Sequence, residues 1–270
     1  MQGNILRRAA AAAALLLLGA AGAQAHPDND RGPGNGCRAL PGWHQLKSAL
    51  QRAVADESSG LDLQMWATLV DRDGVVCAVA FSGADRGAQW PGSRVISAQK
   101  ANAANAFSLQ GGAGTPKFPN GLALSTANLY AAVQPGGSLF GLPHTNPVDT
   151  DTAYGGNPAN HGQSNDYMVG RRIGGVNVFG GGVALYNSSR KIVGGLGVSG
   201  DTSCADHMIG WRLRRYLDLD FLGGLFPVSG DPQRPDNIVF DIGANGVSAG
   251  GFGHPTCLFT GSPGVLPPVR

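Results

Sequence analysis

The side chains whose types and spacing could do chemistry are four cysteines and a scatter of histidines. Cys204-x-x-His207 and His254-x-x-Cys257 together offer two thiols and two imidazoles, a donor set suited to tetrahedral zinc, with the first pair about one turn apart on a helix. Against this stands the even count: Cys37, Cys77, Cys204 and Cys257 in an exported chain favour two disulfides. Three connectivities exist. Two cysteines lie early and two late, which favours Cys37 with Cys77 and Cys204 with Cys257 over a rival that joins Cys37 to Cys257. Asp71, Asp73 and Asp85 lie close together, but two of them fall in a hairpin turn, where Asp is expected in any case. The chain has no Gly-x-Ser-x-Gly elbow, zinc-protease helix or phosphate loop.

Export follows from the first 25 residues. Met1 to Arg8 is basic, Ala9 to Ala21 is apolar apart from Gly19, and Ala23-Gln24-Ala25 is a small-x-small cleavage pattern, so residues 1–25 read as a secretory signal peptide. Arg7-Arg8 sits in a poor context for the twin-arginine route. Cleavage after Ala25 would expose His26, whose amine and imidazole could jointly hold copper, although no second fixed ligand is evident. With Arg7 and Arg8 removed, basic and acidic residues balance at 18 each, leaving no basic footprint for nucleic acid. No later run is apolar enough to span a bilayer, so the expected location is periplasmic or extracellular.

The elements that must position these groups are read from periodicity. Residues 26–42 form a loose leader rich in turn formers. Trp43 to Ser58 reads as a helix with Leu46, Ala49, Leu50, Ala53 and Val54 on one stripe. Leu61 to Val70 and Val75 to Phe81 read as strands joined by the Asp71-Arg72-Asp73-Gly74 turn. Ser93 to Ser108 is an alanine-rich, slim helix able to approach a sheet or another subunit closely. Ser125 to Gln134 is a shorter helical piece, and 141–172 is a long aperiodic stretch of the kind used as a lid or a partner-facing loop. Val176 to Phe179, Val183 to Tyr186 and Lys191 to Ser199 follow as strands, and glycines 194, 195 and 197 imply that something packs tightly over the last of them. Ser203 to Leu217 is the closing helix, with Ser203 and Asp206 making a capping-box-like start. Residues 221–270 form a Gly- and Pro-rich wrapping tail with one strand-like run at Ile238 to Ile242.

Three strings carry a family resemblance. Leu69-Val70-Asp71-Arg72-Asp73-Gly74, Ser97-Ala98-Gln99-Lys100-Ala101-Asn102-Ala103-Ala104, and Gly180-Gly181-Gly182-Val183 followed by Ile192 to Gly200 together make the chain similar to the GlcG/HbpS-like haem-binding family, also seen as the carboxy-terminal domain of PduO-type proteins. The resemblance covers about Trp43 to Leu217 and makes 43–220 the family domain, with 141–172 as an insertion. It implies an α/β (α+β) profilin-like three-layer fold, with a five-stranded antiparallel sheet flanked by helices, that assembles into homo-oligomers. It also implies haem as cofactor, bound by an exported module that binds, stores or reports it. The chain departs from the family after Gly200, where Asp201 to His207 replaces the usual acidic continuation and a cysteine-containing tail is added.

Haem needs an apolar slot, cations for two propionates and optionally an axial donor. The expected slot lies between the Ser93 to Ser108 helix and the loop before the first glycine-rich strand. Lys100, in the matching helix motif, is the expected cation with Arg94 as helper, and Phe140 and Phe179 are the expected walls. His144 leads as axial metal ligand, then His207, with His44 and His161 behind them. Two alternatives stand beside this reading. One is a small-molecule or haem-degrading enzyme using the same pocket. The other is an envelope interaction protein whose 141–172 loop meets a sensor.

Overall fold

The computed structural model describes residues 35–112 and 114–270. The expected signal peptide and most of the leader, with His26, lie outside the described residues.

The first helix, α1 (Trp43–Ala55), buries Leu46, Leu50 and Ala53 on one stripe. Strands β1 (Trp66–Asp71) and β2 (Val76–Phe81) form the expected hairpin. Local chemistry makes that turn: Asp71 Oδ1 accepts from the Asp73 and Val75 amides at 3.0 and 2.9 Å, and Gly74 takes a left-handed φ of 76°. Helix α2 (Ser93–Phe107) follows, then the two-residue strands β3 (Leu109–Gln110) and β4 (Gly121–Leu122), which pair with each other. Two short helices, α3 (Tyr130–Val133) and α4 (Thr150–Tyr154), precede β5 (Gly182–Tyr186), β6 (Ile192–Ser199) and the last helix, α5 (Ser203–Tyr216).

The main sheet has four strands in the order β2-β1-β6-β5, all antiparallel, where five were expected. Val176 to Phe179 is not a strand. Gly174 and Gly175 before it and Gly181 after it are left-handed, and Val176 and Val178 pack instead with Ala103 of α2 and with Leu129 and Val133. Nor is Ile238 to Ile242 a strand, since it contributes only a single bridge to Ser248. Residues 61–65 are held outside β1 by the Asp201 carboxylate, which accepts from the Leu61 and Leu63 amides. At α5 the cap is Thr202, which accepts from Ala205, in place of the expected Ser203.

Alternation along β1 sorts the core into two layers. Ala67 and Leu69 face α1 and α5, whereas Trp66 and Val70 join Val95, Ala98 and Ala101 of α2. Thr68 shares that second face through a 2.8 Å contact with Ser97 Oγ. On β6 the glycines let α2 rest directly on backbone. A Cβ on Gly195 would lie 2.2 Å from the Ala101 carbonyl oxygen, and one on Gly197 would lie 1.9 Å from that of Ser97.

Each edge strand of the sheet is met at one end by a neighbouring segment. Residues 170–172 pair along β2 through Val76 N–H to the Arg171 carbonyl (2.8 Å) and Gly170 N–H to the Val76 carbonyl (2.8 Å). On the other side Tyr186 of β5 donates to the Leu219 carbonyl at 2.9 Å and bridges Asp220 in parallel. The stretch expected as an insertion and the segment after α5 thus each cap one end of an edge strand. The 141–172 stretch also packs beside α2 on this face of the sheet, where Ala153 and Met168 join the cluster of Val79, Phe81, Val95 and Ala98.

Candidate ligand cleft

Among the described residues a cleft of about 500 Å3 lies between the start of α1 and the end of α5. The outward line of α1 supplies His44, Ser48 and Arg52, at successive i, i+4 positions beside the buried stripe, with Gln45 and Ala49. The end of α5 supplies Tyr216, Leu217 and Asp218, and Pro41 closes one end. Asp218 stands here because the chain leaves the helix in a left-handed turn, with φ 56° at that residue.

The polar groups in the cleft are ordered among themselves. Tyr216 Oη donates to Asp56 Oδ2 at 2.5 Å, and the Arg52 guanidinium lies 4.0 Å from the centre of the Tyr216 ring. Desolvation, then the Asp56 hydrogen bond, raise the Tyr216 phenol above its usual range. Asp218 pairs with Arg270 at 2.8 Å, which offsets the negative charge at that end. His44 is exposed, with its ring edge-on to Trp43 at 4.9 Å. The arrangement offers an imidazole donor, an exposed guanidinium and a modest apolar floor.

The residues expected from sequence do not gather around one opening. Arg94 is buried, with Nε and Nη2 on Asp166 at 2.8 and 2.5 Å and Nη1 on the Ala153 carbonyl at 2.6 Å. Lys100 is 1% exposed and donates to Asp206 at 2.6 Å and to the Val198 carbonyl at 3.1 Å. Burial lowers the Lys100 pKa against the pull of Asp206, and burial pushes Asp206 up to about 6 although Lys100 opposes it. Lys100, Phe179 and His207 do meet around the Gly180-Gly181 turn, with Lys100 Nζ 5.8 Å from the Phe179 ring. That region is filled: a Cβ on Gly180 would lie 2.1 Å from the Ser203 carbonyl oxygen. Phe140 and His144 lie apart from these, exposed on the 141–172 side of the molecule.

The remaining histidines are also placed. His207 Nε2 meets Asn237 Oδ1 at 3.2 Å and the Ile238 amide at 3.1 Å, while its Nδ1 is buried without a partner among the described residues. Burial brings it down to about 4. His254 lies with Nδ1 2.7 Å from the Pro255 carbonyl oxygen and is likewise brought down to about 4 by burial. His161 is held below its ordinary value, first by burial and then by Arg94. The cysteines pair as Cys37–Cys77 and Cys204–Cys257. The zinc set is therefore not assembled: its two sulfurs are bonded to each other and His207 is engaged by Asn237. Tyr216, Asp218, Arg52 and Arg270 were not singled out from sequence. The one signal that could have found part of the cleft is the His44, Ser48, Arg52 line on α1.

The family model described as "Haem degrading protein HbpS-like" matches residues 43–211. No curated protein sequence matches the chain. Among solved structures, a PduOC:heme complex is 22% identical, covering 65% of this chain and 91% of its own at a TM-score of 0.42. The Klebsiella pneumoniae protein ORFY is 19% identical, covering 71% and 95% at 0.42, and HbpS is 13% identical, covering 65% and 86% at 0.37. The match of the family model spans more than half of the sequence, and the chain belongs to the HbpS-like haem-degrading protein family.

Proposed function

We propose that this chain is an exported haem-binding protein and that the cleft between α1 and α5 is where haem is held. The observation that carries the reading is that one line of α1 presents His44, Ser48 and Arg52 along a cleft of about 500 Å3, within the usual range for small-molecule sites. The donor set suits the group. His44 offers a nitrogen to iron, Arg52 a cation to a propionate, and Pro41, Ala49, Leu217 and the Tyr216 ring an apolar surface to the macrocycle. Bound there, haem would supply an iron centre open to oxygen or peroxide chemistry and a strong visible band. Among the described residues Arg52 is held by the Tyr216 ring and a 3.7 Å contact with Asp56, and it is exposed, so it can turn to an incoming carboxylate. Arg270 keeps Asp218 from repelling that carboxylate.

In this reading residues 1–25 are a signal peptide, 43–220 carry the family domain and 221–270 wrap it. No helix among the described residues is long and apolar enough to cross a membrane, and two disulfides fit an oxidising compartment, periplasmic or extracellular. A homo-oligomer belongs to the same proposal. An envelope sensor remains a partner of the same proposal.

The test is a hemin titration of residues 26–270 followed by absorbance. A Soret shift saturating at a defined stoichiometry, lost or weakened at least tenfold in His44→Ala and unchanged in His144→Ala, supports the reading. A shift that never saturates, or one indifferent to His44, overturns it. The family description favours a second reading, haem degradation at the same cleft. Peroxide-dependent loss of the Soret band with iron release, abolished by His44→Ala, would establish that activity.

A further inference from the structure

The two disulfides differ in the charge that surrounds their sulfurs. Cys37 Sγ lies 4.0 Å from Asp71 Oδ2, a buried carboxyl fixed by the β1–β2 turn. A thiolate formed at Cys37–Cys77 would arise beside that acidic group. Around Cys257 Sγ the neighbours are donors, whereas Cys204 Sγ lies 3.6 Å from the Pro255 carbonyl oxygen. Cys204 is the second residue of the 14-residue helix α5, and its amide, one of those left without a helical acceptor at a helix start, donates to Cys257 Sγ at 3.2 Å. Ser203 Oγ lies 3.5 Å from the same sulfur, and a ring nitrogen of His254 lies within 4.8 Å of both. Cys257 is half-buried whereas Cys204 is 1% exposed, so an approaching reagent meets Cys257 first; Cys77 is half-buried too, so charge and not access separates the two bridges.

We infer that Cys204–Cys257 is a thiol–disulfide exchange site for a soluble dithiol, and that Cys37–Cys77 is a structural bridge. A thiolate of the dithiol attacks Cys257 Sγ, the Cys257–Cys204 bond breaks, and its electron pair leaves on Cys204 Sγ at the start of α5. The second thiol of the reagent gives its proton to solvent and displaces Cys257. The reagent is oxidised by two electrons to its own disulfide, and Cys204 and Cys257 take protons from solvent to become thiols. The rate of such a step rises as the leaving thiol becomes more acidic. In the second step that thiol is Cys257, whose sulfur accepts from the Cys204 amide at the helix start and is acidified by it, whereas at Cys37–Cys77 a neighbouring carboxylate does the reverse. Opening the bridge detaches the stretch around His254 from α5, and the buried Arg214–Asp236 pair keeps the rest of the tail in place.

The test exposes the full chain to graded dithiothreitol under native conditions, traps thiols with a maleimide and assigns them by mass spectrometry, with circular dichroism recorded in parallel. Cys204 and Cys257 are expected to label at least tenfold faster than Cys37 and Cys77, before any loss of ellipticity. Equal rates, the reverse order, or labelling that appears only as the chain unfolds would overturn the inference. Asp71→Asn, which keeps the turn acceptor and removes the charge, is expected to raise the rate at Cys37–Cys77 severalfold. An unchanged rate in that variant would overturn the electrostatic account of the difference.

Discussion

Arg214 grips Asp236 through two hydrogen bonds of 2.6 and 2.9 Å, and neither side chain has any exposed surface. Arg214 Nη1 also reaches the Ala184 carbonyl at 3.2 Å, so one guanidinium joins α5, β5 and the segment that follows them. Arg94 and Asp166 repeat the device for the 141–172 stretch, and Lys100 and Asp206 tie α2 to α5. Each pair fixes where an element lies. A buried ion pair is little or no more stabilising than a well-packed apolar pair, but loss of one partner leaves a charge with nothing to answer it.

Asp236→Ala should therefore destabilise the protein by about 3–5 kcal/mol, lowering Tm by roughly 10 °C. Thermal unfolding followed by circular dichroism measures this. A fall of only a degree or two would mean that water reaches Arg214 and the pair does not hold the tail.

Acid should destabilise the fold through His207 and His254, both brought by burial from the ordinary 6.5 to about 4. Between those values the unfolded chain binds protons that the folded chain refuses. Their contribution is complete above 6.5 and is lost as pH falls toward 4, on the order of 3 kcal/mol for each. Asp206 acts in the opposite sense: raised from 3.8 to about 6, it contributes stability below 3.8 that is lost as pH rises toward 6. Two histidines outweigh one carboxyl, so urea midpoints should drop from pH 7 to pH 4.5. The drop should be smaller in His254→Gln, and an identical drop would show that His254 does not carry its share.

What the sequence made legible was local. The β1–β2 hairpin follows from Asp71 and Gly74, which act within four residues, and the tight packing over β6 follows from Gly195 and Gly197 lacking Cβ atoms. The partners of Arg94 and Lys100 lie 72 and 106 residues away, and no period or spacing connects them. That is why two cations expected at a binding slot sit instead in buried pairs. The cleft was harder still, since it needs α1 beside the end of α5 and takes Asp218 from a left-handed exit that nothing local announces. The missing fifth strand has the same origin, because Val176 and Val178 have strand character but find their apolar partners on α2.

Asp218→Asn should tighten hemin binding about threefold at low salt, with the gain shrinking as salt is added. Asn is accommodated at a φ of 56° as well as Asp, so the backbone is preserved while one negative charge leaves the cleft. Arg270→Ala should do the reverse, because it leaves Asp218 without its 2.8 Å partner. Isothermal titration at two ionic strengths compares them, and affinities that ignore both changes would place the propionates elsewhere.

Gly197→Ala should be among the most damaging single methyl additions to this chain. Its Cβ would meet the Ser97 carbonyl oxygen at 1.9 Å and the Ala101 nitrogen at 2.5 Å, both backbone atoms of a helix that the Arg94–Asp166 and Lys100–Asp206 pairs also tie down. Neither atom is the end of a flexible side chain, so α2 itself must lift, and with it the Thr68–Ser97 contact and the Lys100–Asp206 pair. A cost of about 4 kcal/mol or more is expected. Gly92→Ala is the control, since a Cβ there meets nothing within 4 Å and the φ of −61° suits any residue. If urea unfolding finds the two variants equally stable, α2 does not lie on β6 as closely as these contacts require.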